Sequence, residues 1–387
     1  MKRYWKLMSL CIVTIIIIGT FYTQSHFAAK EKIIVEWEKV SGNEEEVKDL
    51  LLNASSEGYL SLQISTEGTD HLSNQSIFKN LTSVNTVFRD MIKEHKKFMR
   101  GKRLMPDSFY EDDSQIAYAN ITYSELNQLS RDYSFDIAVL NKKTDEIISF
   151  KLDVPNNEIY DWIHVEEVQM IDNELKVITQ GNLTGEEDEL VSVITFDLEN
   201  ERIVDDEVIF SEETAENGGS HVYMMEDYPS IEPQKYLIIT TNTYTYNDDG
   251  EREVQTFETL IYDIENKESK RLKSETGELM DPLSNSTINN TSLIIPSHDN
   301  NGFEVKQYDI EKEEWGKSVT FDFINTKTNS QEYMQLMNGK IYFIQSTMND
   351  YTLYIGDLLT GELLYEGKLK VNKKSDLLQF HHIDYIL

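Results

Sequence analysis

The chain has 387 residues, and its 69 Asp and Glu outnumber its 36 Lys and Arg, which gives a formal net charge of −33. This charge argues against a nucleic-acid-binding protein, because affinity for phosphates rests largely on Lys and Arg. Aromatic residues make up 11% of the chain, too many for a disordered acidic tail. The single cysteine excludes both a disulfide framework and a cysteine-based zinc site.

The N-terminal segment predicts attachment to a membrane. Three basic residues within positions 1–6 precede an uncharged stretch at 7–22, and about 20 apolar residues are needed to cross a bilayer. We therefore expect a cytoplasmic stub at 1–6 and a transmembrane signal-anchor at 7–24. Because basic residues stay on the cytoplasmic side, the N-terminus would lie inside and the bulk of the single-pass chain would be extracellular.

A cleaved secretory signal is the alternative interpretation of this segment. Signal peptidase prefers small residues in an A-x-A-like pattern. Ala28 and Ala29 are small, but His26 and Phe27 occupy the partner positions, so the uncleaved anchor is favoured. Apart from Cys11, which lies in the anchor, the exported part has no cysteine, as is typical of exported proteins of Gram-positive bacteria.

Residues 30–104 are expected to form a small α+β segment. The stretches at 33–37 and 60–65 have the composition and alternation of strands. Asn85 can cap a helix that extends to Met99, because the apolar residues after it recur at spacings of three and four.

Residues 105–387 contain a repeat. An apolar strand leads into a turn rich in Asp, Asn, Glu, Lys or Gly, and a second strand follows; this occurs near residues 140, 197, 263, 309 and 357. With the strands between these points, each unit offers about four strands, the pattern of β-propeller blades. We expect a mainly β protein with an irregular β-propeller of about five to seven blades. Paired β-sandwich domains are the alternative.

Two repeat units are lengthened by hairpin insertions at 181–190 and 246–251, which are expected on an exposed face. The second insertion and the loop at 299–302 combine acidic or amide side chains with a glycine, so they are weak candidates for calcium. The candidate ligands are Asp248, Asp249 and Asp299. Neither loop follows the twelve-residue calcium pattern, and hairpin turns at positive φ explain both better. No other cofactor is indicated.

The last repeat carries a resemblance to a known family. Asp357 is followed by Thr360 and Gly361, and the aromatic Tyr365 stands eight residues after Asp357. This resembles the docking motif of quinoprotein-type propellers. The resemblance implies that Thr-Gly forms the blade hairpin and that the aromatic packs between blades; it implies architecture only, with no quinone cofactor. The whole chain resembles uncharacterised, membrane-anchored, propeller-like envelope proteins of Gram-positive bacilli.

No catalytic motif is recognisable in the sequence. Ser220 and His221 could form a nucleophile and its base, but adjacent residues of a strand diverge, and a turn leading into a strand is favoured. For the same reason His381 and His382 are not expected to share a metal.

The sequence therefore favours a non-enzymatic role. We expect a membrane-tethered extracellular module that binds or scaffolds in the cell envelope, with an envelope or membrane protein or a cell-wall glycan as its partner and no nucleic acid. The alternative is an exported hydrolase or lyase that acts on a cell-wall or extracellular polymer, since the loops of a propeller can bring distant residues together.

Overall fold

The structure is a computed structural model, and it describes residues 33–56, 60–71, 86–127, 130–171, 173–185, 188–211, 218–225, 231–247, 249–272, 286–299, 302–324, 332–346, 350–372 and 377–385. The expected stub at 1–6 and anchor at 7–24 lie outside these residues. Within them, no helix has the length and apolar character needed to cross a bilayer.

Helices are a minor part of the described chain. The helix expected to end at Met99 consists of two, α1 (Thr86–Glu94) and α2 (Lys96–Met99), which are separated by His95. His95 leaves helical geometry, with φ −116° and ψ 44°. Short 3₁₀ helices cover Glu44–Glu46, Pro106–Ser108 and Asn157–Ile159.

Four sheets are meanders in which strands adjacent in sequence are also adjacent in space, except that the last strand of the fourth sheet, Val319–Thr320, pairs with Gly302–Asp309. Sheet A contains β5 (Phe109–Glu111), β6 (Gln115–Asn127), β7 (Ser130–Asn141) and β8 (Ile147–Asp153). Sheet B contains β9 (Tyr160–Ile171), β10 (Glu174–Leu183), β11 (Glu189–Asp197) and β12 (Arg202–Ser211). Sheet C contains β13 (Gly218–Met224), β14 (Tyr236–Tyr246), β15 (Arg252–Asp263) and β16 (Glu268–Arg271). Sheet D contains β17 (Thr287–Asn289), β18 (Ser292–Asp299), β19 (Gly302–Asp309), β20 (Glu314–Trp315) and β21 (Val319–Thr320).

Two further sheets combine strands from the two ends of the chain. Sheet E contains, in spatial order, β1 (Val35–Gly42), β25 (Leu363–Val371), β24 (Asp350–Asp357), β23 (Lys340–Ser346) and β22 (Glu332–Met337). Sheet F contains β26 (Leu378–Tyr385), β2 (Leu50–Ser56), β3 (Leu60–Ser65) and β4 (Gly68–His71). Strands from 30–104 and from 105–387 therefore share both sheets.

The described residues separate into two compact units, one within 33–71, 323–335 and 340–385 and one within 86–322 and 336–339. In the second unit, consecutive sheets bury apolar side chains against each other. Phe135 of sheet A and Phe196 of sheet B, for example, meet edge to face with ring centroids 5.1 Å apart, and both are fully buried.

The mainly β, propeller-like fold class is confirmed. The described residues form six sheets of four or five strands, within the expected five to seven, and each of sheets A to C is an antiparallel four-stranded meander, the architecture of a propeller blade.

Each of the five repeat positions forms the same turn between the third and fourth strands of a meander. One side-chain Oδ1 accepts the backbone N–H of the residue three positions later. The pairs are Asn141–Thr144, Asp197–Asn200, Asp263–Asn266, Asp309–Lys312 and Asp357–Thr360, at 3.1, 3.1, 2.9, 2.9 and 2.8 Å. The fifth residue has positive φ every time: Asp145, Glu201, Lys267, Glu313 and Gly361. This is an Asx-type turn, which gives the hairpin a defined geometry.

The turn at Asp357 directs three hydrogen bonds to one carboxylate oxygen. Oδ1 of Asp357 accepts from the N–H of Leu359 and from both the N–H and the hydroxyl of Thr360. Gly361 has φ 73°, and Tyr365 is buried. Burial raises the pKa of Asp357, but the hydrogen bonds from Thr360 and Leu359 lower it by more, so its pKa lies below the usual range.

We expect Asp357→Ala to lose about 1 kcal/mol of unfolding free energy at neutral pH, by analogy with side-chain caps of helices. Asp357→Asn keeps an acceptor and should lose less. The pKa of Asp357 is lower in the folded than in the unfolded protein. The carboxylate therefore contributes its full share of the unfolding free energy above about pH 4, the unfolded-state pKa, and loses it as the pH falls through the folded-state pKa. Urea denaturation at a series of pH values tests this: the gap between wild type and Asp357→Asn should narrow in acid, and an Asp357→Ala variant as stable as wild type at neutral pH would contradict it.

A second prediction concerns Gly42, where β1 ends against β25. Gly42 and Gly185 both have left-handed backbones, with φ +85° and +86°. A Cβ on Gly42 would lie 2.1 Å from the carbonyl oxygen of Leu364, whereas one on Gly185 would meet no atom of the described residues within 4 Å. Both alanine variants carry the left-handed penalty, but Gly42→Ala also overpacks, so we expect it to be about 1–3 kcal/mol less stable than Gly185→Ala in the same denaturation measurement. Equal losses of unfolding free energy in the two variants would show that the close approach of residue 42 to the Leu364 carbonyl has no effect on stability.

Candidate functional site

The candidate site lies at the ends of sheets B and C opposite to the Asx turns. The strands of a meander alternate in direction. The hairpin between the second and third strands therefore lies at the opposite end of the sheet from the hairpin between the third and fourth strands. In sheets B and C these opposite hairpins are the insertions at 181–190 and 246–251. Side chains from their ends and from β13 form what we call the His221 site: Gln180, Glu189, His221, Tyr244, Tyr246 and Arg252.

Glu189 is the fixed point of the site. Its Oε2 accepts the backbone N–H of Val222 at 2.8 Å and the side-chain amide of Gln180 at 2.8 Å. Its Oε1 lies 3.1 Å from Nδ1 of His221, and its side chain is only 14% exposed. A carboxylate held by several donors is a rigid acceptor, so Glu189 orients the imidazole.

The contacts of His221 define its tautomer. The carboxylate of Glu189 only accepts, so Nδ1 carries the hydrogen that joins them. On the other side, Nη1 of Arg252 is 2.6 Å from Nε2. A guanidinium only donates, so Nε2 is the acceptor in this contact and its lone pair is occupied by Arg252.

Arg252 rests on aromatic rings. Its guanidinium carbon lies 4.5 Å from the ring centroid of Tyr244 and 5.8 Å from that of Tyr246, and its Nε donates to the Tyr246 hydroxyl at 3.3 Å. The His221 ring stacks on Tyr244 with centroids 5.0 Å apart. Cation–π contacts of this kind position an exposed arginine. The site thus presents a cation and a histidine on a common aromatic support.

A β-bulge places Arg252 in the site. Going along β14 and β15 towards this hairpin, Thr243 pairs with Thr256, but the next residue, Tyr244, pairs with Val254. The extra residue, Gln255, shifts the register so that Arg252 stands opposite Tyr246. Bulges redirect side chains in this way and are common beside functional sites.

An aromatic pair on sheet B extends the face that carries the site. The rings of Trp162 and His164 stack with centroids 5.0 Å apart and an interplanar angle of 24°. Trp162 pairs with Asn182, which in turn pairs with Glu189, and directly paired residues of antiparallel strands lie on the same face. Trp162 and His164, the aromatic platform, therefore share a face with Glu189.

Two acidic groups lie near the aromatic platform. His164 contacts the carboxylate of Glu166. Burial raises the pKa of Asp107, and the negative charge of Glu166 raises it further, so Asp107 keeps its proton to a higher pH than an exposed aspartate does.

A buried acceptor lies beside His221. Asn242, the cross-strand partner of His221, is 7% exposed, and its Oδ1 has no hydrogen-bond donor among the described residues. Such an acceptor is costly unless a ligand or water satisfies it.

Neither of the adjacent pairs noted in the sequence, Ser220–His221 and His381–His382, forms a shared site. Ser220 is fully buried, and its Oγ accepts from the N–H of Glu189 at 3.3 Å, while His221 faces Arg252; Ser220 therefore lies within β13 and is no nucleophile for His221. His381 contacts the hydroxyl of Ser55, and His382 contacts Asp384.

The weak calcium candidates that the structure describes, Asp249 and Asp299, lie in two different hairpins. Asp248 is outside the described residues, Asp249 lies in the β14–β15 turn, and Asp299 ends β18. In the first turn, Oδ1 of Asn247 accepts the N–H groups of Asp249 and Glu251, which accounts for its composition. The part of the chain that the structure describes holds no group of three or more His, Cys, Asp or Glu able to bind a metal.

Sequence reasoning did not find Glu189 or Arg252. Both stand at the ends of the two hairpin insertions, which were recognised as exposed. The insertion lengths were the available signal; the pairing of these two residues with His221 depends on bulges and on packing between sheets, which the sequence does not show.

Comparisons with known proteins establish no family for this chain. No protein-family model matches it, and no curated protein does. Among solved structures it is similar to TolB from Acinetobacter baumannii, with 11% identity, a TM-score of 0.32 and coverage of 85% of this chain and 65% of TolB. It is also similar to the polysaccharide lyase Uly1, with 10% identity, a TM-score of 0.38 and coverage of 68% and 57%. It is similar as well to the β-propeller domain of the trilobed protease from Pyrococcus furiosus, with 12% identity, a TM-score of 0.24 and coverage of 66% of this chain and 80% of that domain. The chain spans less than two thirds of TolB and of the lyase.

The site makes a spectroscopic prediction. In the wild type at neutral pH, the ¹⁵N chemical shifts of His221 should show hydrogen on Nδ1 and a bare Nε2, because Glu189 accepts on one side and Arg252 donates on the other. Glu189→Gln removes the charge that holds Nδ1–H and should let the other tautomer appear. Hydrogen on Nε2 in the neutral wild type would contradict the assignment.

Proposed function

We propose that the protein is a binding module of the cell envelope, tethered to the membrane by residues 7–24 with its bulk outside, and that the His221 site is its ligand-binding surface. The tether rests on the sequence pattern of the first 24 residues. The binding role rests on the His221 site.

The single observation that carries the proposal is the position of Arg252. In a chain of net charge −33, this exposed guanidinium is held over Tyr244 and hydrogen-bonded to Tyr246 and His221. Arginine and tyrosine are enriched among the residues that dominate binding energy at recognition sites. Tyrosine has little conformational entropy to lose, and the contacts of Arg252 with the two tyrosines hold its otherwise flexible side chain in place. The partner we propose is a cell-wall glycan or a protein of the envelope or membrane.

A second candidate function is favoured by a different observation. Glu189 orients His221 as the acidic member of a catalytic triad orients its histidine. His221 could then act as a general base once a bound substrate draws Arg252 away from Nε2. An exported hydrolase or lyase acting on a cell-wall or extracellular polymer would use this dyad.

The test compares Arg252→Ala with Arg271→Ala, a matched control. Arg271 is also on sheet C, is 71% exposed and pairs with Glu258 at 3.2 Å. Thermal melts of the full-length protein in detergent are recorded with cell-wall fragments, glycans, calcium or EDTA. A ligand that binds only the native state raises the melting temperature by mass action, equivalent to about 2.7 kcal/mol at a hundredfold excess over Kd. We expect a shift with a wall fragment or glycan that Arg252→Ala abolishes and Arg271→Ala retains.

The other outcomes are informative. A ligand shift that survives Arg252→Ala would remove the His221 site from the proposal. Release of shorter products from a polymer, lost in His221→Gln, would favour the enzyme. A shift with calcium alone would restore the acidic loops as a metal site.

A further inference from the structure

We infer that the ligand of the His221 site is a glycan bearing carboxylate groups, and that one carboxylate takes the guanidinium of Arg252 away from Nε2 of His221. This inference rests on the proposed binding function and specifies the chemistry of the ligand.

The first step is an exchange of hydrogen-bond partners. In the free protein the guanidinium donates to a neutral nitrogen, Nε2 of His221. A carboxylate accepts two parallel N–H groups of an arginine, and such charge-assisted pairs are about twice as strong as neutral ones. The planar fork of Arg252 is already fixed over Tyr244, so little further ordering is needed.

The second step concerns the histidine that the exchange releases. Among the described residues, the charged or titratable groups that face the imidazole are Glu189 at Nδ1, Arg252 at Nε2, the Tyr244 ring stacked on it and the Tyr223 ring 6.4 Å away. Once a ligand carboxylate takes the guanidinium, Nε2 of His221 loses its donor and can accept a hydrogen bond from a hydroxyl of the same ligand. A glycan that carries both groups would therefore replace both halves of the Arg252–His221 contact.

The third step favours a glycan over an acidic peptide. The aromatic platform, Trp162 and His164, offers stacked rings on the same face as Glu189. Trp162 is two strand spacings from Glu189, about 10 Å, a span that suits two or three linked sugar rings.

The negative charge of the chain requires a short oligosaccharide as the test ligand. A net charge of −33 repels a long polyanion, whereas contacts within the site act at short range, where salt screens them less. The affinity of a short acidic oligosaccharide therefore depends mainly on contacts in the site and little on the net charge of the protein.

The experiment is isothermal titration calorimetry of the full-length protein in detergent. The probes are trigalacturonate, the neutral trisaccharide made by reducing its carboxyl groups, and the peptide triglutamate. We expect trigalacturonate to bind, the reduced trisaccharide to bind at least tenfold more weakly, and triglutamate to bind more weakly than trigalacturonate. Arg252→Ala should lower the affinity for trigalacturonate at least tenfold. Arg252→Lys should lower it several-fold, because lysine lacks the planar guanidinium that binds a carboxylate through two N–H groups. Arg271→Ala should leave the affinity unchanged.

The outcomes separate this inference from the proposed function. Equal affinity for the charged and reduced trisaccharides would overturn the carboxylate, and stronger binding of triglutamate would overturn the glycan. If neither trisaccharide binds but a wall fragment does so through Arg252, the binding function stands and the inference fails. If Arg252→Ala leaves the binding of every ligand unchanged, the proposed function fails with it.

Discussion

The geometry of the repeats depends on one hydrogen-bonding pattern, a side-chain oxygen that accepts the backbone N–H groups left unpaired where a hairpin reverses. Asn141, Asp197, Asp263, Asp309 and Asp357 supply this oxygen in five sheets. A turn of fixed geometry defines which residues pair beyond it, and a slip of one residue would send every side chain of a strand to the opposite face. The apolar faces that stack between sheets A, B, C and D therefore rely on these turns.

The Asx turn fixes the geometry at one end of the strands of each sheet, so the hairpins at the opposite end can vary in length and register. In sheets B and C these opposite hairpins are longer, and together with the bulge at Gln255 they bring Glu189 and Arg252 to His221. The result is a chain of hydrogen bonds that begins at the backbone of Val222 and ends at an exposed guanidinium. Each member limits the freedom of the next, so the outermost cation is positioned although it lies on the surface.

The local charge of the site contrasts with that of the whole chain. A strongly acidic surface keeps a protein soluble and repels anions at long range, whereas a guanidinium such as that of Arg252 attracts them at short range. The glycan that we propose as the ligand combines a carboxylate for the arginine with apolar sugar faces for the aromatic rings around it. The same acidity would disfavour anionic ligands without such a specific contact, so it contributes to selectivity.

The sequence by itself determined the class of fold and the positions of the repeated turns, because strand alternation and Asp or Asn at a reversal are local properties. It also marked the insertions at 181–190 and 246–251. It did not show that the helix predicted up to Met99 is interrupted at His95, that β1 and β2 pair with β25 and β26, or that His221 belongs to a site. Those features depend on partners distant in sequence: Glu189 is 32 residues before His221 and Arg252 is 31 after it. Only the packing of sheet B on sheet C, with a bulge that no local pattern announces, brings the three together.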